Sequence, residues 1–62
     1  MKRLKEHRVK NKKTQSQLAD EVNVSLRTYQ RIEEGSRIAN VDVAQAIAKI
    51  LHSTVEELFG KN

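Results

Sequence analysis

Sixty-two residues make one domain, 1–62, near the lower limit at which a hydrophobic core sustains itself. The absence of cysteine excludes a disulfide staple and a thiolate metal site and suits a reducing compartment, while the absence of proline and the presence of only two glycines leave no room for a linker or low-complexity tail. The net charge of +4 is uneven: residues 1–13 hold seven of the twelve Lys and Arg against one acid, Glu6, which leaves +6 there and −2 over the remainder, and no apolar run follows this basic start, so neither a signal peptide nor a membrane span is expected.

In chain order, the first element is a helix for which Leu4 and Val9 are the expected anchors, with His7 alongside. Much of the basic run is then its wet face, and Lys2, Arg3, Lys12 and Lys13 are weaker candidates for phosphate contact. The most informative stretch is 14–35, TQSQLADEVNVSLRTYQRIEEG. Thr14 with Gln17 has the form of a capping box that opens a helix at Gln15. Leu18, Ala19 and Val22 give that helix an apolar face. Asn23 accepts the left-handed backbone that ends a helix. Ser25 caps a second helix running to about Glu33, and Gly35 stops it. Two helices this short, joined this tightly, form a helix-turn-helix.

On a wheel of 100° per residue, Tyr29 and Ile32 lie about 60° apart and define the buried side of the second motif helix. Arg27 points almost directly away from that side, flanked by Gln30 and Arg31, with Leu26 and Thr28 at the two boundaries. A solvated amphipathic helix would share this layout, but the turn and its caps shift the reading toward a major-groove helix. Arg can bond guanine through a fork, Gln can pair with adenine, and an apolar side chain can touch the thymine methyl. Glu33 lies about 70° from the core direction, so its carboxylate needs a partner.

Beyond the motif, Arg37 in the following loop is the better phosphate candidate. Asn40 caps a fourth helix in which Val41, Ala44, Ile47, Ala48 and Leu51 recur at helical spacing. Thr54 with Glu57 forms another capping box, opening a last short helix that presents Val55, Leu58 and Phe59. Phe59 is read as a core plug, with a dimer contact as the alternative.

The chain resembles the Xre family, the phage repressor and Cro type of helix-turn-helix, over almost its whole length. The matching elements are Arg8, Thr14–Gln15, Leu18–Ala19, Val24–Ser25, Ile32–Glu33 with Gly35, the cap at Asn40, and Leu58–Phe59. The resemblance implies an all-α, compact five-helix, lambda-repressor-like DNA-binding domain. It implies base contacts from Leu26, Arg27 and Arg31, with Gln15 at backbone phosphate; Ser25, Thr28, Gln30 and Arg37 are read, from their place on and beside the motif, as lying at the backbone or flanking it. It also implies a structural ion pair between Arg8 and Glu33. Asn23 and His52 stand where the family often has Gly, Ala39 where it often has Pro, and His7, Lys13 and Ser53 where apolar residues are commoner.

An enzyme finds little support. His7 and His52 lie apart with no carboxylate or thiol at metal-ligand spacing, the pairs Glu33–Glu34 and Glu56–Glu57 diverge on a helix, and no Gly-rich phosphate loop exists. The expectation is a cytoplasmic transcriptional repressor, bacterial or phage-encoded, that binds double-stranded DNA as a homodimer with helix 25–33 in the major groove. It needs no cofactor, metal, membrane or small-molecule substrate. The rival is an antitoxin-type or protein-partner-binding module, which an acidic face on residues 26–31 would have favoured.

Overall fold

The computed structural model describes residues 1–60. They form five helices in succession: α1 (Lys2–Lys10), α2 (Gln15–Glu21), α3 (Leu26–Glu34), α4 (Val41–Ile50) and α5 (Val55–Phe59). None is long enough to be stable by itself in water, so each depends on its caps and on burying one face. At α2 the capping box forms in full: Gln17 N–H donates to Thr14 Oγ1 at 3.0 Å, and Thr14 N–H donates to Gln17 Oε1 at 2.9 Å. Ser25 and Asn40 cap α3 and α4 by accepting from Thr28 and Val43. At α5 only half of the expected box is present, with Thr54 Oγ1 accepting from Glu57 N–H; the Glu57 side chain is exposed and stays solvated. Helix α3 runs one residue past the expected end, to Glu34, before Gly35 takes φ 92°.

Three other helix ends are closed without glycine. After α1, α2 and α4 the chain turns through Lys12 (φ 60°), Asn23 (φ 61°) and His52 (φ 56°). Each makes the same pair of bonds, seen after α1 as Lys12 N–H to Val9 O at 2.9 Å and Lys13 N–H to Arg8 O at 3.1 Å. This is the Schellman pattern, which satisfies carbonyls that a helix end otherwise leaves bare. Asn23 and His52 are where the sequence led us to expect it. Lys12 is not, because lysine has no side-chain chemistry that favours the left-handed region.

Leu4, Leu18, Tyr29, Ile47, Leu51 and Leu58 are the fully buried side chains, completed by Ala19, Val22, Ile32 and Ala48. Around them α2 packs on α3, α1 on α3 and α5, and α5 on α4. Two expected anchors lie outside this core. Val9 is 57% exposed, because it sits about 140° around the helix from Leu4; the inner stripe of α1 is instead Leu4, Arg8 and Asn11. Val41 is 69% exposed: it shares a face with Ala48, but in the first turn of α4 it projects past the end of the core. Phe59 is partly buried and packs against the core. Asn11 ties the end of α1 to the end of α4, donating to His7 O at 2.7 Å and to Leu51 O at 3.3 Å.

The polar centre of the fold is Glu33, 7% exposed on α3. Its Oε2 accepts from Arg8 Nε at 2.8 Å and from the Tyr29 hydroxyl at 2.7 Å. Its Oε1 accepts from Arg8 Nη2 at 3.1 Å and from Gln15 Nε2 at 3.0 Å. Four donors on two oxygens use the acceptor capacity of a carboxylate in full. Arg8 turns its remaining amino group to Lys13 O at 2.8 Å, so α1, α2 and α3 meet at one charge pair. Burial pushes the Glu33 carboxyl up, but hydrogen bonds from Arg8, Tyr29 and Gln15 outweigh it and hold the group below its ordinary range. The same bond to Glu33 raises the Arg8 guanidinium further, while burial, then the bond to Glu33, pushes the Tyr29 phenol up.

Removing Arg8 leaves Glu33 buried without its counter-charge, so Arg8→Ala should lower stability by roughly 3 kcal/mol or more in denaturant titrations, well beyond any exposed lysine removed in the same way. Because the folded Glu33 pKa is depressed, its contribution is present above the ordinary value of 4.5 and is lost as pH falls below it. Melting temperature should therefore drop more steeply across that window in the wild type than in Glu33→Gln. The left-handed positions give an opposite expectation. Lys12→Gly and His52→Gly relieve backbone strain that outweighs the added freedom of the unfolded chain, so each should gain up to about 1 kcal/mol; a loss of stability in both would show that the side chains matter more than the backbone there.

Candidate nucleic-acid interface

Helix α3 is fixed to the core by its back. Tyr29 is fully buried and Ile32 is 3% exposed, and the two hold the opposite face in water. Arg27, Gln30 and Arg31 are all exposed there. Leu26, in the first turn, is 42% exposed, while Thr28 is half-buried at the boundary. Ser25 and Thr28 are engaged with one another: the Ser25 hydroxyl accepts from Thr28 N–H at 3.1 Å and donates to Thr28 Oγ1 at 3.0 Å. Their first task is to start the helix.

The end of α3 is shaped by Arg31 O, which accepts from the amides of Gly35, Ser36 and Arg37 at 3.0, 3.0 and 3.2 Å. This wraps the loop around the helix terminus and sets the exposed Arg37 beside it. Among the described residues none of Arg27, Arg31 and Arg37 forms a salt bridge. Three guanidiniums without a carboxylate partner, on and beside one helix, create a positive surface suited to phosphate and to the acceptor-rich edge of guanine.

Gln15 opens α2 and is half-buried. It donates to Glu33 Oε1 at 3.0 Å and accepts from Gln30 Nε2 at 3.3 Å through its own Oε1. One N–H of Gln15 remains for an outside acceptor. Alongside lies a shallow depression lined by Lys5, Gln15, Gln30, Glu33 and Glu34. Lys5 was not singled out from the sequence. The signal was available, since Lys5 is about 60° from Arg8 on the α1 wheel and Arg8 must face α3 to reach Glu33.

The basic start of the chain separates into two kinds of residue. Lys2, Arg3 and Lys12 are exposed. Lys13 is half-buried, and its ammonium sits 2.8 and 2.9 Å from the two carboxylate oxygens of Glu21, so its charge is already countered.

A helix-turn-helix family model matches residues 4–58. The chain is 36% identical over 59 residues to the cryptic phage CTXphi transcriptional repressor RstR of Vibrio cholerae serotype O1 (strain ATCC 39315 / El Tor Inaba N16961), covering 95% of this chain and 53% of that protein. It therefore spans about half the length of the curated relative it matches. No solved structure matches it. With the capped turn between α2 and α3 in place and the family match running from the first buried leucine to the last, the chain belongs to the Xre-type helix-turn-helix family.

Proposed function

We propose that the protein is a sequence-specific DNA-binding transcriptional regulator, a repressor that occupies its operator as a two-fold dimer with α3 in the major groove. The observation that carries this reading is the outer face of α3, where Arg27 and Arg31 stand exposed, without a salt-bridge partner among the described residues, above a back anchored by Tyr29 and Ile32. Leu26, Arg27 and Arg31 read bases. Gln15, Ser25, Thr28, Gln30 and Arg37 sit at the sugar–phosphate backbone or flank the base-reading residues, and Arg8 with Glu33 holds the motif together. Such a regulator acts in the cytoplasm by occupying a promoter, without catalysis or cofactor. The similarity to a phage transcriptional repressor supports the sign of regulation.

Dimerisation follows from the limits of one helix, which offers only a few base contacts. Two half-sites one helical turn apart place the two recognition helices about 34 Å from each other. The domain measures 27 × 23 × 19 Å, so two copies at that spacing meet only along an edge. Exposed apolar side chains gather at one such edge: Met1, Ile38, Val41 and Val55 line a groove of about 390 Å³ that ends at Ile32 and Phe59. Ile38, 92% exposed, is the side chain best placed to enter the groove of a second copy. An isologous contact needs such a self-complementary patch.

The salt dependence of binding tests the DNA reading. The logarithm of the binding constant should fall linearly with the logarithm of salt concentration, and Arg37→Ala should weaken specific and non-specific binding by similar factors while flattening that slope. A salt-independent titration would favour the protein-partner rival. Specificity should reside in Arg27 and Arg31. Changing either to Ala should cost about 1–3 kcal/mol at the selected site, concentrated at one base pair per half-site, whereas Leu26→Ala should relax a thymine preference without altering the salt slope. Equal losses on every sequence would place all three at the backbone. Ile38→Glu should abolish cooperative occupation of paired half-sites while leaving single half-site binding intact; unchanged cooperativity would move the dimer contact elsewhere.

A further inference from the structure

Buried polarity continues from the core to the reading face through one unbroken line of hydrogen bonds. A carboxylate only accepts, so Glu33 Oε1 must face the amino group of Gln15, as it does at 3.0 Å. Arg8 and Tyr29 occupy the rest of the carboxylate and prevent it from turning to another partner. With its amino group committed inward, Gln15 presents its carbonyl outward. A carbonyl also only accepts, so Gln30 must in turn present its amino group to Gln15, as it does at 3.3 Å. An amide that would otherwise be free to rotate is thereby given one polarity from within the core.

We propose that Gln30 is a base-reading residue whose preference for adenine is set by Glu33 acting through Gln15. Gln30 is exposed on α3, about 60° around the helix from Arg27. Its bond to Gln15 uses one N–H and leaves the other N–H and the carbonyl. Adenine offers the complement in the major groove, with N7 accepting and the N6 amino group donating. The opposite amide orientation would exchange donor and acceptor and lose that match. Holding the side chain in place beforehand also removes ordering that a free glutamine would have to undergo on binding. Gln15 and Glu33 are positioning residues in this scheme, and neither touches the base.

The inference rests on the DNA-binding reading, and the two can fail separately. The test is selection from randomised duplex DNA by the purified chain and its variants, read out base by base. The wild type should select an adenine beside the position governed by Arg27, favoured roughly ten-fold over other bases. Gln30→Ala should erase that preference alone. Gln15→Met, which breaks the line but leaves the Arg8–Glu33 pair intact, should soften the same preference several-fold while the guanine preferences of Arg27 and Arg31 persist. Circular dichroism melting of both variants separates loss of reading from loss of fold. If Gln30→Ala weakens all sequences alike, Gln30 meets phosphate and the proposal is overturned. If Gln15→Met leaves the adenine preference at full strength, Glu33 does not set it. If the wild type selects no sequence at all, the DNA-binding reading falls with it.

Discussion

A carboxylate that accepts four hydrogen bonds while almost out of water cannot be assembled one partner at a time, and this chain places such a group at the end of its third helix. Glu33 is tolerated only when Arg8 arrives from α1, Gln15 from α2 and Tyr29 from the preceding turn of α3. Each partner alone would leave a buried charge partly bare, at a cost comparable with a large share of the stability of so small a domain. The three helices are therefore selected together. Apolar packing between them supplies most of the attraction, but the charge pair excludes arrangements in which the helices slide or rotate.

That requirement explains how a thin core can present a rigid surface. Among the described residues the large, fully buried side chains number six, drawn from all five helices or their caps, and there is little apolar surface to spare. Polar bonds do what packing would do in a larger domain: Arg8 holds the turn after α1 through Lys13 O, and Asn11 holds the end of α4 through Leu51 O. The outer face of α3 then carries Arg27 and Arg31 with the charge of Glu33 already countered by Arg8. Glu33 is saturated within the core, and Glu34 accepts from the Ser36 hydroxyl at 2.7 Å.

Much of this was legible in the sequence, and the reasons are specific. The caps at Thr14, Ser25 and Asn40 act on backbone within three residues, so the letters alone determine them. The buried side of α3 followed from helical period, since Tyr29 and Ile32 leave no other side apolar. Val9 and Val41 are less legible because hydrophobicity alone does not specify what lies opposite a side chain. Val9 is on the wrong side of α1, and Val41 is on the right side of α4 but lines an open groove with Met1, Ile38 and Val55 instead of entering the core. Lys12 was hidden for another reason: nothing in a lysine announces a left-handed backbone, and only the position of Thr14, the next helix cap, forces so short a turn. The link from Gln15 to Gln30 spans two helices, and no local pattern encodes it.

The helix ends have a bearing on how the chain finds its structure. Four of them are sealed by bonds between residues only three to five apart, so most of the order in this domain is local. Loops that close over such short distances lose little entropy, and topologies built from them reach the native state rapidly. The longer closures include Gln15 to Glu33 across 18 residues, Arg8 to Glu33 across 25 and Asn11 to Leu51 across 40. Folding thus joins helix ends that are already shaped through a small set of longer closures, the buried charge pair among them.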